Sequence, residues 1–362
     1  MSFQLSETLY PVDEVIGTFI QCILMRSSIE ECLFWLMELL YTTPNICEGL
    51  VSIYKQFYSN SNNNVERYLT RKINEYETSH DIRHLADIVH NLRELTSIPT
   101  AYYIAQYSFV FDSPSIIYKS TNCFKPYPIN MHGLFRSLQT KNIRNLGVYA
   151  ATSIRNNGFE ITRKAIIQYA YDNGKDIVSG LCNTMCDKGI QTISYLLSKF
   201  LNDYEPAKLR FDRANLVVVT KMKHHFETKQ SISYRKLEER RLYSTHAFLP
   251  PLNYGRFTLD CEFTDACRLH WEYYCFNSIA WNKRFVLYGG ILDHTKKQIL
   301  WVDDSHLENF YIDDNCMEFD EQTADVANMS LHDINVIEDP ETWYNLVMDY
   351  SLSNQLTSMS LK

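Results

Sequence analysis

The chain has 362 residues, of which 45% are hydrophobic, 14% aromatic and 22% charged, a composition that excludes a wholly disordered protein. Its length allows two or three domains, because single cores stop growing beyond roughly 250–300 residues. Charge is unevenly placed: residues 1–297 carry 34 Lys and Arg against 29 Asp and Glu, whereas residues 298–362 carry one against 14.

Tyr (25) and Phe (19) outnumber Gly (11) and Pro (10), which favours long elements with few tight turns and argues against a small all-β domain. The opening stretch MSFQLSETLYPVDEV has no basic region followed by an apolar core, so no secretory signal is expected. The most apolar windows, Val15–Met25 and Cys32–Tyr41, fall short of the ~18 uninterrupted apolar residues of a membrane helix. Ten cysteines sit mostly in apolar runs, among them Cys22, Cys32, Cys47, Cys182 and Cys275, and are expected to be reduced thiols packed as small hydrophobes.

The first predicted helix covers about Asp13–Arg26, with Val15, Ile16, Phe19, Ile20, Ile23 and Leu24 on one face. A second opens at Ser28, where S-I-E-E predicts a capping box in which Glu31 reaches back to the serine. Leu33, Trp35, Leu36, Leu39 and Leu40 nearly encircle it, so it should be central. A third starts at Pro44 in the first helical position and turns Ile46, Leu50, Ile53, Tyr54 and Phe57 inward. Three adjoining helices with short connections predict a bundle. After the polar loop Ser59–Asn64, helical patterns cover Val65–Glu77 and Asp81–Leu95, and Pro99 marks the turn that follows.

The segment Phe111–Met131 has three prolines and no helical period, and reads as a crossing segment or linker. Beyond it, RNNGFEITRKA, YDNGKDIVSGL and CDKGIQTISYL each step into a glycine, at Gly158, Gly174 and Gly189, as expected of short helices ended by glycine with positive φ. Leu216–Thr220 is the best isolated strand. Leu269–Tyr288 reads as one aromatic helix, Ile291–Val302 as a hairpin turning near His294–Lys297, and Pro340–Tyr350 as a last helix with Trp343, Leu346, Val347 and Tyr350 on one side.

The chain is therefore expected to be mainly α: an N-terminal helical bundle or short α-solenoid, followed by a smaller α+β C-terminal region with a β-hairpin. Its divisions are a bundle over 1–110, the linker or crossing segment over 111–131, short helical hairpins over 132–207, a basic segment with an aromatic and acidic α+β region over 208–350, and a disordered tail over 351–362.

No GxxxxGK[ST], GxGxxG or GxSxG pattern is present, so nucleotide hydrolysis is disfavoured, no catalytic residue is assigned and no cofactor is expected. Cys267 and His270, three apart on one helical face, are the metal-ligand candidates, although zinc modules usually pair two such sets; packed thiols are the plainer reading. Cys182 and Cys186 stand in the same position. The acidic run Asp303, Asp304, Glu308, Asp313, Asp314, Asp320 and Glu321 lacks the alternation and central glycine of a calcium loop, and reads as a solvated docking face. Between Lys208 and Arg241, the basic residues Lys221, Lys223, Arg235, Lys236, Arg240 and Arg241 could contact phosphates, but acidic neighbours dilute them and YRKLEERR also suits an exposed helix. The acidic and basic stretches could equally dock on one another, within a chain or across a homo-oligomer.

Four stretches carry a resemblance. HWEYYCFNSIAWNKR, GGILDHTKKQI and LENFYIDDNCMEFDEQ, together with the N-terminal ECLFWLMELLYTTPNICEGLVSIYKQFY, resemble a group of uncharacterised proteins of nucleocytoplasmic large DNA viruses. The likeness covers about a quarter of the chain. It implies an intracellular viral protein of the host cytoplasm, virus factory or virion interior, and brings no established activity. CLFWLMELLY with the following helix is also similar to the helical collar of clamp-loader-related AAA+ ATPases, without the ATPase part. The leading functional expectation is a non-enzymatic helical interaction or scaffold module for viral or host proteins or for self-association. The alternatives are a nucleic-acid-binding accessory of replication or transcription, and an enzyme of unrecognised type.

Overall fold

The computed structural model describes residues 3–43, 45–59, 63–111, 113–118, 124–177, 189–201, 243–246, 248–249, 259–313 and 334–349. Helix α1 (Val12–Met25) ends at Arg26, whose left-handed backbone donates its N–H to the carbonyls of Cys22 and Ile23, and α2 (Ile29–Thr42) starts two residues later. The Ser28 hydroxyl accepts from the Glu31 N–H as the sequence predicts. The second half of the capping box does not form, because the Glu31 carboxylate turns to the Cys22 thiol. Helix α3 (Ile46–Phe57) has Asn45 as its cap, so Pro44, outside the described residues, is not its first helical residue. Helices α4 (Asn63–Ser79) and α5 (Arg83–Glu94) follow. The apolar faces of these five helices, with Trp35, Leu50, Leu85 and Val89 essentially sealed, make one core.

Helix α6 (Thr100–Val110), TAYYIAQYSFV, was not anticipated. It is apolar on every side, as suits a helix between two cores: Tyr102 stacks on Phe57 in the first core, while Ile104 belongs to a second. That second core is completed by α7 (His132–Thr140), α8 (Ile143–Asn157), α9 (Phe159–Asp172) and α10 (Ile190–Leu201). A Cβ at Gly147 of α8 would stand 2.5 Å from the Ile104 carbonyl oxygen, so only glycine permits this approach of α8 to α6. Gly158 and Gly174 follow α8 and α9 with φ of 80° and 72°, as expected. Gly189 instead precedes α10.

Helix α10 is held to α3, to the residues just after it and to α4 by buried and partly buried polar pairs. Ser52 bonds Gln191 at 2.8 Å, Lys55 bonds Thr192 at 3.1 Å, Ser59 bonds Ser198 at 2.7 Å, and Glu66 takes both Tyr195 and Lys199.

The C-terminal residues return to the bundle. Strand β1 (Phe248–Leu249) pairs in parallel with β4 (Asn335–Val336), and a helix over 340–349 inserts Trp343, Tyr344 and Val347 into the first core against Phe57 and Tyr102. Leu346, expected to share that face, is 41% exposed.

A third core forms the small α+β region. The single aromatic helix expected over Leu269–Tyr288 is instead α11 (Phe263–Arg268), α12 (Trp271–Cys275) and α13 (Ile279–Leu287). Ser278 is the physical reason for the last break, since its hydroxyl caps the Trp281 N–H and opens a new helix. The hairpin forms where predicted, as β2 (Ile291–Asp293) and β3 (Gln298–Leu300), with the Asp293 carboxylate accepting from the Thr295 and Lys296 amides in the turn. Helix α14 (Asp304–Asp313) closes the region. Its core contains Phe3, Leu5 and Leu9 from the other end of the chain, tied in by the Leu5 N–H to the Tyr274 carbonyl and the Trp281 indole to the Glu7 carbonyl. The molecule is mainly α with a small α+β C-terminal region. Among the described residues, no helix is long and apolar enough to cross a membrane.

Candidate functional site

The six basic candidates, Lys221, Lys223, Arg235, Lys236, Arg240 and Arg241, lie outside the described residues, as do Asp314, Asp320, Glu321, the Cys182–Cys186 pair and the strand expected at Leu216–Thr220. Cys267 is buried on α11, and the His270 Nδ1 sits 2.9 Å from the Lys297 carbonyl, tying the start of α12 to the hairpin turn. Neither residue belongs to a group of three metal-type side chains among the described residues. The six described cysteines, Cys22, Cys32, Cys47, Cys261, Cys267 and Cys275, are free thiols.

Of the acidic run, Asp303, Asp304 and Glu308 lie exposed at the start of α14, and Asp313 is its last residue. Asp303 accepts from the Ser305 hydroxyl and from the His306 ring and amide. Those bonds hold its carboxyl well below the usual range, so it stays charged while capping the helix.

This acidic corner borders an apolar surface. Successive side chains of a strand point to opposite faces. In the hairpin, Leu292 and Ile299 face the third core, whereas the paired Ile291 and Leu300 face outward. Val302 continues the outward side beside Gly289, and Val286 and Leu287 end α13 just before it. Ile291 is 62% exposed, Val302 64% and Leu287 75%. An antiparallel hairpin with one face on a core ordinarily carries polar residues on the other; here the outward face carries the paired Asp293 and Gln298 next to the turn and the apolar pair Ile291 and Leu300 beyond them.

The inner side of α1 breaks the rule in the opposite sense. Glu14, Thr18, Gln21 and Cys22 recur at helical spacing, and all four are buried. Their partners come from residues 243–249. The Tyr10 hydroxyl donates to the Tyr243 carbonyl at 2.6 Å and the Thr245 hydroxyl to Glu14 at 2.9 Å. The His246 amide donates to Thr18 at 3.1 Å and the Gln21 amide to the Phe248 carbonyl at 2.8 Å. Cys22 Sγ then lies 3.6 Å from His246 Nε2 and 3.5 Å from Glu31 Oε1, and the three donor atoms all fall within 4.8 Å of one another. Burial pushes the His246 imidazole down to about 4, leaving it neutral at physiological pH, and the same burial, with the nearby Cys32 and Glu31, pushes the Cys22 thiol up.

Sequence reasoning assigned none of these three to a site. Cys22 reads as a packed thiol, Glu31 as a capping residue, and His246 lies 224 residues beyond Cys22. The signal that could have found them is the polar stripe itself: Glu14, Thr18 and Gln21 on a mostly apolar helix must find partners once buried.

Comparison of the chain with protein-family models, with curated proteins and with solved structures returns no match.

Proposed function

We propose that the chain is a non-enzymatic helical interaction module that docks a partner protein on the outward face of its β2–β3 hairpin, in the setting of a large DNA virus inside the host cell. One observation carries the docking: Ile291, Leu300 and Val302, with Val286 and Leu287 at the end of α13, are large apolar side chains left exposed at the end of the hairpin away from its turn. Contiguous exposed apolar surface rimmed by polar groups is characteristic of interaction sites. The rim is acidic, with Asp303 and Asp304 following directly on Val302 and Glu308 a turn further along α14. A second copy placed face to face would set these carboxylates against themselves. The complement is therefore a different surface, apolar at its centre and rich in Lys or Arg at its edge. The viral setting rests on the resemblance carried by His270–Gln322 and Glu31–Tyr58.

The test is site-specific photo-crosslinking from position 300 of the full chain in infected cells, followed by affinity measurement with the purified partner. The reading expects a nuclease-resistant protein adduct whose affinity falls at least tenfold with Leu300→Arg or Val302→Arg and weakens as salt rises. It fails if the adduct's affinity is indifferent to both substitutions. Adducts that vanish after nuclease would instead favour nucleic-acid contact through Lys208–Arg241.

A further inference from the structure

We propose that Cys22, Glu31 and His246 form a binding site for a divalent cation of the zinc type. The proposal is independent of the docking surface.

The donor set comes first. A thiol sulfur, an imidazole nitrogen and a carboxylate oxygen are the three ligand types that zinc takes from proteins. The distances come second. In a tetrahedral zinc site with Zn–S of about 2.3 Å and Zn–N or Zn–O of about 2.0–2.2 Å, the sulfur stands about 3.5 Å from each nitrogen or oxygen ligand. The separations here are 3.6 Å to His246 Nε2 and 3.5 Å to Glu31 Oε1, so the sulfur already stands at ligand distance from both, and the imidazole and carboxylate, within 4.8 Å of each other, need only close on the ion. A calcium or magnesium site would require a shell of oxygens around the ion, which the sulfur and imidazole exclude.

Support around the ligands is the third point. Metal-binding side chains are held by outer hydrogen bonds that fix their direction. The backbone that carries His246 is anchored by its amide N–H to the Thr18 hydroxyl and by the neighbouring Thr245 hydroxyl to Glu14. Glu31 is fixed in the first turn of α2 by the Ser28 cap on its amide, and Cys22 sits fully buried on the facing side of α1. Three ligands come from three separate segments, so the ion would tie α1, α2 and the returning segment 243–246 together. One tetrahedral position remains for water or an incoming donor.

The experiment uses the full chain, stripped with a chelator and titrated with Zn²⁺, and in parallel with Co²⁺ as a spectroscopic probe. The expected result is a saturable site whose Co²⁺ form has a thiolate-to-metal charge-transfer band. Cys22→Ser should abolish that band and lower the bound metal by one equivalent, while Cys267→Ser leaves both unchanged. Glu31→Gln and His246→Gln should each weaken binding by more than about tenfold, the loss already typical of disturbing an outer-shell partner. Should Cys22→Ser fail to fold, the half-exposed Glu31→Gln and the zinc-induced rise in melting temperature of the unmodified chain carry the test. The proposal is overturned if the unmodified chain takes up no Zn²⁺ at micromolar free metal. It is equally overturned if the equivalent and the band survive Cys22→Ser, or if Glu31→Gln and His246→Gln both leave the affinity unchanged.

Discussion

The inner side of α1 and the outer face of the β2–β3 hairpin violate the same rule in opposite directions. On α1, Glu14, Thr18 and Gln21 are buried and polar; on the hairpin, Ile291, Leu300 and Val302 are exposed and apolar. The first violation is met within the chain, because residues 243–249 supply a hydrogen-bond partner to each of Glu14, Thr18 and Gln21. The second has no such cover among the described residues, and its complement is sought in a partner. A buried polar face thus records an internal partner, and an exposed apolar face points to an external one.

The strongest way to probe internal pairing is the seam between α4 and α10. Removing one member of a buried ion pair leaves the other charge stranded, at a cost of about 3–5 kcal/mol. Glu66→Leu, which removes the carboxylate paired with Lys199, is expected to lower stability by about that amount in urea unfolding. A loss within about 0.5 kcal/mol, the range of ordinary surface changes, would show that the seam is not sealed from water.

Next in size is thiol chemistry at the α1–α2 interface. Burial pushes Cys32 up from 9.0 to about 12, so at about pH 8 its thiolate fraction is roughly a thousandfold below that of an unperturbed thiol. Residue-resolved alkylation of the folded chain should leave Cys32 unmodified while the same reagent labels it after denaturation. The half-buried Cys47, pushed up to about 11, should react sooner than Cys32.

A smaller effect is expected on the stripe itself. Gln21→Leu removes the donor to the Phe248 carbonyl, and an unsatisfied buried acceptor costs about 1–3 kcal/mol. Thr18→Val should act similarly through the His246 amide. The smallest effect belongs to the outer face, where Leu300→Lys is expected to leave stability within about 0.5 kcal/mol while partner binding is lost. A large destabilisation there would mean that the face is covered within the chain, and the contrast between the two regions would collapse.

Elements whose signals are local were legible in the sequence. The Ser28 cap, the one-sided apolar spacing of α1 and α3, and the alternation about the Asp293–Lys297 turn all act within a few residues, and the corresponding helices and hairpin form. Helix α6 was not legible, because an apolar residue on every side leaves no period to read. The aromatic stretch from Leu269 was misread as one helix because Ser278 satisfies the apolar pattern's gap while its hydroxyl opens a new element. Pairings between distant segments had no local trace at all: β1 with β4, Phe3 and Leu9 in the third core, and His246 beside Cys22. The acidic residues were legible as charge, yet the capping role of Asp303 and the apolar face they border depend on the hairpin's register.

Amide hydrogen exchange of the full chain, resolved by residue over 243–249, tests the central contrast most directly. If this segment is the internal partner of the α1 stripe, the His246 amide exchanges as slowly as the amides of α1, and Gln21→Leu or Thr18→Val speeds it. Exchange of that amide at the rate of an open chain, with α1 still protected, would contradict the account.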